Sequence, residues 1–251
     1  MTEWWHVSWK RVGVTLLVIF LTPLLLYGAW RLVVFQFGPW AFARFVAAPS
    51  FGMNMVPTFP ADKSVAHLSG DRIERFGFTI QLPWKEIALD RTFSNTAFLT
   101  SKSDAVIEVR SPSGSFDSAK SMRDWANGVP ALQEESLRTN YALVSAVMAE
   151  KPEQVKWWRT PGQNARDLNL LIRKYFDFQH CGALYSVNFG EVRGIQQGSP
   201  AVAPYDVKLD LFDSADKHYE ITMGPRMHDR PVVTQAEINA MVASLRPISQ
   251  K

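Results

Sequence analysis

A single cysteine, Cys181, is all that this chain of 251 residues carries. No internal disulfide can form, so thiol usage selects neither an oxidising nor a reducing compartment. Its position, far from any acylation site, argues against a lipoprotein. Asn-x-Ser/Thr glycosylation acceptors are absent, as are repeats of 20–50 residues and low-complexity tracts. Glycine-rich phosphate loops and alternating βαβ units are missing too, which argues against a doubly wound nucleotide-binding fold. Excess positive charge is confined to the N-terminal part. Of the 27 Lys and Arg and the 24 Asp and Glu, five and two fall in residues 1–70, leaving 22 of each in residues 71–251. A region with no net positive field and no Lys/Arg run is unsuited to nucleic acid.

Charge is missing altogether from Val12 to Trp30. At about 1.5 Å per residue, such a helix is roughly 28 Å long, close to the hydrocarbon thickness of a bilayer. Lys10, Arg11 and Arg31 bracket the run, with Trp4, Trp5, Trp9, Tyr27 and Trp30 as interfacial aromatics. Residues 12–30 are therefore expected to lie in a lipid bilayer as a single-pass anchor. A cleaved secretory signal is the alternative, but its apolar core is roughly 7–15 residues, and Tyr27-Gly28-Ala29 is a poor cleavage site. Lys10, Arg11 and the terminal amine before the span, against Arg31 and Arg44 after it, slightly favour a cytoplasmic N-terminus with the main domain outside the cytoplasm, periplasmic or extracellular. Leu32–Ala48 is also apolar, interrupted by Gly38-Pro39 and carrying Arg44. It reads as an extension plus an interfacial segment; as a second span it would return the domain to the cytoplasm, at the cost of burying Arg44. The organisation expected is an anchor over 1–48, a linker or extended arm over 49–70 marked by Pro49, Gly52, Pro57, Pro60 and Gly70, and one domain over 71–251.

Period-two patterning predicts strands at Phe76–Leu82, Thr96–Thr100 and Ala105–Arg110, ended by Ser111-Pro112-Ser113-Gly114. Helical periodicity follows at Ser118–Asn127 and Leu132–Glu150, the latter with Leu137, Tyr141, Val144 and Met148 on one stripe. Thr160-Pro161 opens a further helix with Gln163 completing a capping box, and Leu168, Leu171, Ile172 and Tyr175 line one face. Strands return at Ala183–Phe189, Glu191–Gln197, Tyr205–Phe212 and His218–Met223. The last two read as a hairpin with one buried face, Val207, Leu209 and Leu211 alternating with Lys208 and Asp210. A final helix starts at Thr234, with Glu237 as its capping partner and Ile238, Met241, Val242 and Leu245 as its buried stripe, before Pro247. Segregated strands and helices predict an α+β fold: an antiparallel sheet of six to seven strands packed with helices, preceded by one N-terminal transmembrane helix.

The segment Phe76-Gly77-Phe78-Thr79-Ile80-Gln81-Leu82-Pro83-Trp84 resembles the opening strand of PsbP-like and DcrB-like domains. The Gly194-Ile195-Gln196-Gln197-Gly198 turn before a long hairpin and the closing helix Met241–Pro247 are similar to theirs. The resemblance covers most of residues 72–249 in element order. It implies a non-catalytic binding, assembly or chaperone module, often outside the cytoplasm; this chain departs from it by carrying its own membrane helix.

No residues are predicted to be catalytic, to bind a cofactor or to hold a metal. His180-Cys181 are neighbours in a strand and so point to opposite faces, badly placed as base and nucleophile. His218, His228 and Asp229 match no metal spacing. Asp210, Asp213, Asp216 and Glu220 fail the calcium-loop pattern, since Ala215 falls on a ligand position. Glu134-Glu135 suit a helix N-terminus. Trp157-Trp158-Arg159 is the one cluster of residue types enriched in interface hot spots, set against a packing role for the same aromatics. The function expected is a membrane-anchored, non-catalytic domain that binds a membrane or extracytoplasmic protein partner or supports a membrane assembly. The alternatives are a carrier or sensor of a small apolar ligand and a hydrolase.

Overall fold

The apolar run does not stop at Trp30. The helix it forms, α1 (Trp9–Ala41), continues through Arg31 and passes into a π-helical turn over Phe42–Ala47, followed by the short helix α2 (Phe51–Asn54). The computed structural model describes residues 9–49, 51–111, 122–123, 126, 132, 138–178, 182–227 and 230–248. The 33 residues of α1 span about 50 Å, some 20 Å more than a hydrocarbon core requires. Pro23 and Pro39 lie within it. From Leu16 to Phe35 its side chains are exposed, and it is the one helix among the described residues long and apolar enough to cross a membrane.

Two antiparallel sheets follow. The larger has seven strands in the order β3 (Ile87–Thr92), β4 (Thr96–Ser101), β5 (Ala105–Arg110), β9 (His218–Pro225), β8 (Val207–Phe212), β7 (Val192–Gln197), β6 (Leu184–Phe189). The smaller pairs β1 (Arg72–Arg75), β2 (Phe78–Gln81) and β10 (Arg246–Pro247). Alternation decides which face turns inward. Leu99, Ile107, Val109, Val207, Leu209, Leu211, Ile221 and Met223 pack against Phe78, Ile80 and Leu82 and against helix α5 (Gln235–Ser244) through Ile238, Met241, Val242 and Leu245. Each such fully buried aliphatic side chain contributes about 1.5–3 kcal/mol. The α5 stripe and its capping box agree with the sequence: Thr234 Oγ1 accepts from the Glu237 amide, and the Glu237 carboxylate accepts from the Thr234 amide.

The opposite face is covered at its β6–β8 end by α3 (Asn140–Ala149), whose Val144 and Met148 meet Leu184, Ile195 and Phe212. Helix α4 (Pro161–Phe178) flanks α3 through Leu170 against Leu143 and Val147. The hairpin departs from expectation. Asp210, His218 and Glu220, on its supposed solvent face, are buried, because β8 and β9 have strands on both sides and Gln197, Lys208 and Phe212 pack against these side chains.

Other boundaries shift for physical reasons. Phe76-Gly77 is a turn with positive φ at both residues (51° and 83°), so the strand begins at Phe78. Gly194–Gln197 belong to β7, and the turn falls at Gly198 (φ 81°). α3 starts at Asn140, capped by the Thr139 hydroxyl, rather than at Leu132. Of the helix expected over 118–127, only Met122, Arg123 and Ala126 are described, and they are helical.

Residues 55–66 run along the domain as an arm. The Thr58 amide donates to the Leu184 carbonyl (3.0 Å) and its carbonyl accepts from the Ser186 amide (2.7 Å), covering the β6 edge. Asn239 Nδ2 then donates to the carbonyls of Asp62 (3.0 Å) and Ser64 (2.9 Å). At Leu184–Ser186 the edge is thereby closed to a foreign strand.

Candidate functional site

Between Leu32 and Ala48 the only uncharged polar side chain is Gln36. An amide on an apolar helix needs partners when it is taken out of water. Gln36 Nε2 donates to the carbonyls of Trp157 and Arg159, each at 2.7 Å. Phe37 stacks on the Trp157 indole at 6.1 Å and 17°. Higher up, Ala43 and Ala47 are buried and pack with Val155 and Leu171, joined by Trp40, Leu168, Ile172 and Tyr175. Small residues allow this close approach of helices. The apolar helix therefore docks on the globule from Gln36 to Ala47 instead of ending in a free tether.

The receiving turn is fixed by local chemistry. Pro152–Gln154 form a 3₁₀ turn in which the Gln154 side-chain oxygen accepts from the Lys151 amide (2.7 Å). Thr160 and Gln163 cap α4 reciprocally, at 3.3 and 3.1 Å. Asn164 Nδ2 donates to the Lys156 carbonyl (2.6 Å).

Beneath this junction lies a group of buried charges. Arg159 pairs with Asp167 (2.5 Å), which is 2% exposed. Lys174, 1% exposed, donates to the carbonyls of Met148 (2.6 Å) and Glu150 (2.7 Å) at the end of α3. Those carbonyls have no partner within their own helix, so a cation there is favourable. Burial pushes the Glu150 carboxyl up to about 7, the nearby Asp167 adding to the effect while Lys174 and Arg159 oppose it. Burial brings Lys174 down to about 8, with Glu150 opposing and Lys151 reinforcing.

A second polar set crosses the sheet. Lys208 pairs with Glu220 (3.0 Å), Gln197 Nε2 donates to Asp210 (2.9 Å), and His218 Nε2 meets the other Asp210 oxygen at 3.2 Å. Burial disfavours the Asp210 charge, but Lys208, His218 and Gln197 together outweigh it and hold the carboxyl below its usual range. His218 also stacks on Phe212 (4.6 Å, 8°). The neighbouring acids are turn and cap residues. Asp213 accepts from the amides of Ala215 and Lys217 and from the Tyr219 hydroxyl, and Asp216 accepts from the amides of Asn140 and Tyr141 at the start of α3.

The expected recognition cluster is thus split. Trp157 is 49% exposed and partly covered by Phe37; the carbonyl of Arg159 is held by Gln36 and its guanidinium by Asp167. Trp158 is 64% exposed, edge-on to Trp157 (5.8 Å), with the Lys156 ammonium over its ring at 5.8 Å. Gln36, Glu150 and Lys174 had not been singled out from sequence. A lone amide inside an apolar run was the available signal for Gln36. His180, Cys181, His228, Asp229, Glu134 and Glu135 lie outside the described residues.

A further exposed surface lies at the opposite edge of the large sheet. Leu89 and Phe93 are exposed there, and with Arg91, Phe98, Val106 and Arg226 they line an open groove of about 770 Å³. No protein-family model, curated protein or solved structure matches the chain.

Proposed function

We propose that this chain is a single-pass membrane protein whose non-catalytic α+β domain binds a protein partner or supports assembly of a membrane complex. In this reading α1 spans the bilayer, and the excess of Lys10, Arg11 and the terminal amine over Arg31 and Arg44 supports a domain outside the cytoplasm. The observation that carries the reading is the docking of α1 on the globule, with Gln36 bridging the carbonyls of Trp157 and Arg159. It fixes the domain's orientation to the helix, which a partner in the same membrane can exploit at high effective concentration. Because Trp157 and Arg159 are engaged by the chain's own helix, the partner-facing surface is assigned to the β3 edge, where Leu89 and Phe93 stay exposed. The packed space between the large sheet and α5, filled by Val207, Leu209, Ile221 and Met241, favours this over a carrier of an apolar ligand. The PsbP-like and DcrB-like resemblance is part of the proposal and rests on its short sequence segments.

A photo-crosslinking residue at Phe93, irradiated in intact membranes, tests it. The expected product is one discrete adduct with another polypeptide; repeated recovery of the chain alone refutes the partner reading. Protease digestion of sealed vesicles tests the placement, since cutting of the domain only after the cytoplasmic face is opened defeats it.

A further inference from the structure

Taking α1 as spanning the bilayer, as proposed above, the level at which it enters the globule can be worked out. The contacts along α1 and the π-helical turn that continues it are ordered: Ala43 and Ala47 meet Val155 and Leu171, whereas Gln36 and Phe37 meet Trp157 and Arg159. The 156–160 turn is therefore the part of the junction nearest the N-terminal part of α1, up to Arg31. Between that stretch and the turn come Leu32, Val33, Val34 and Phe35, exposed at 71%, 54%, 45% and 51%. Four consecutive apolar residues exposed on all sides of a helix lose free energy in water and gain it in hydrocarbon. Arg31 does not prevent their immersion. Its guanidinium lies between two aromatic rings, at 4.8 Å from Phe35 and 5.8 Å from Tyr27, and such cation–π contacts lower the cost of its immersion. Counted back from Phe35 at about 1.5 Å per residue, roughly twenty residues of the uncharged or shielded run fill the roughly 30 Å of a hydrocarbon core.

With the hydrocarbon edge at Phe35, Phe37 stands about 3 Å above it, and the headgroup layer extends roughly 5–7 Å. Trp157 stacks on Phe37, and Trp158 adjoins Trp157 with Lys156 over its ring. Exposed indoles beside an ammonium are the chemistry of the membrane–water interface, an apolar body with a polar handle. We propose that the 156–160 turn, led by Trp158, is a second membrane contact seated in the phospholipid headgroup layer beside α1.

The full-length chain, with Cys181→Ser, is reconstituted in phosphatidylcholine vesicles carrying one nitroxide at Trp158→Cys. Collision with oxygen and with a water-soluble nickel chelate is then measured. Leu25→Cys in α1 gives the buried reference. Ser214→Cys, in the β8–β9 loop at the far end of α3, gives the aqueous one. Nickel accessibility at 158 is expected several-fold below that at 214 and above that at 25. A value equal to that at 214 overturns the contact. Gly162→Cys, in the first turn of α4 with open space around it, reads the same level if the first variant fails to fold. Should the label at 25 itself prove open to nickel, the spanning reading falls as well, which separates the two failures.

Discussion

Replacing Glu150 with glutamine should make the protein more stable at neutral pH and leave it unchanged in mild acid. Folding moves this carboxyl from 4.5 to about 7, chiefly by burial. At about 1.4 kcal/mol per pH unit, that difference is worth about 3 kcal/mol. The side chain is 5% exposed, so solvent screening does little to reduce it. The native state holds this proton more tightly than the unfolded chain. The contribution to stability is therefore lost as pH rises from 4.5 to about 7, and is flat above. Lys174 acts in another window. Held down to about 8, it releases its proton sooner in the native state, so its contribution rises from about pH 8 to 10.5. Glutamine keeps the size of Glu150 and removes the charge. At pH 5 the variant should unfold near the wild type, and at pH 7.5 about 2–3 kcal/mol later, roughly 5–10 °C for a chain of this size. Thermal unfolding in mild detergent, followed by near-ultraviolet circular dichroism at the two pH values, measures it. A variant that tracks the wild type at both, or is less stable at pH 7.5, refutes the view that burial rather than its cationic neighbours governs this carboxyl.

Gln36→Leu removes both bonds to the receiving turn, at about 1 kcal/mol each. Trypsin cutting after Lys156 and Arg159 should accelerate about tenfold or more, and unchanged cutting would show the amide to be idle. Gly194→Ala places a Cβ against the Asp210 carbonyl oxygen and the Leu211 Cα across the β7–β8 pair. A loss of about 3 kcal/mol or more is expected, read as a fall in Tm; the same change at Gly162, where nothing lies within 4 Å, should be neutral or slightly stabilising.

Elements whose signal is local were legible in the sequence. The apolar helix, the alternation of β4, β5, β8 and β9, and the capping boxes at Thr160 and Thr234 depend on residues within a few positions of one another. β1 and β3 were not legible. Arg72–Arg75 and Ile87–Thr92 have no fully buried side chain, and neither carries the apolar alternation that marks a strand; pairing with β2 and β4 makes them strands. The burial of Asp210 and Glu220 was hidden for the opposite reason. A charged residue in a central strand looks the same in sequence as one on a solvent face, and only strand order tells them apart. At the site, Trp157-Trp158-Arg159 stood out by composition. Its first partner is 121 residues away at Gln36, a distance over which no sequence period operates. Glu150 and Lys174 were invisible likewise: Glu150 closes α3 and Lys174 lies on α4, and each gains its meaning from the other segment.

The docked junction also has a kinematic consequence. A domain on a slack leash tumbles freely, and a neighbour must wait for the right face to come round. Here a glutamine, a stacked ring pair and two alanines splice rod and globule into one solid piece. In a bilayer spanned by α1, as proposed, drift within the sheet of lipid and spin about the rod are the movements left to it. Two such molecules approaching side by side meet with their sheet edges at a common height, so finding the matching angle is a search in one variable rather than three.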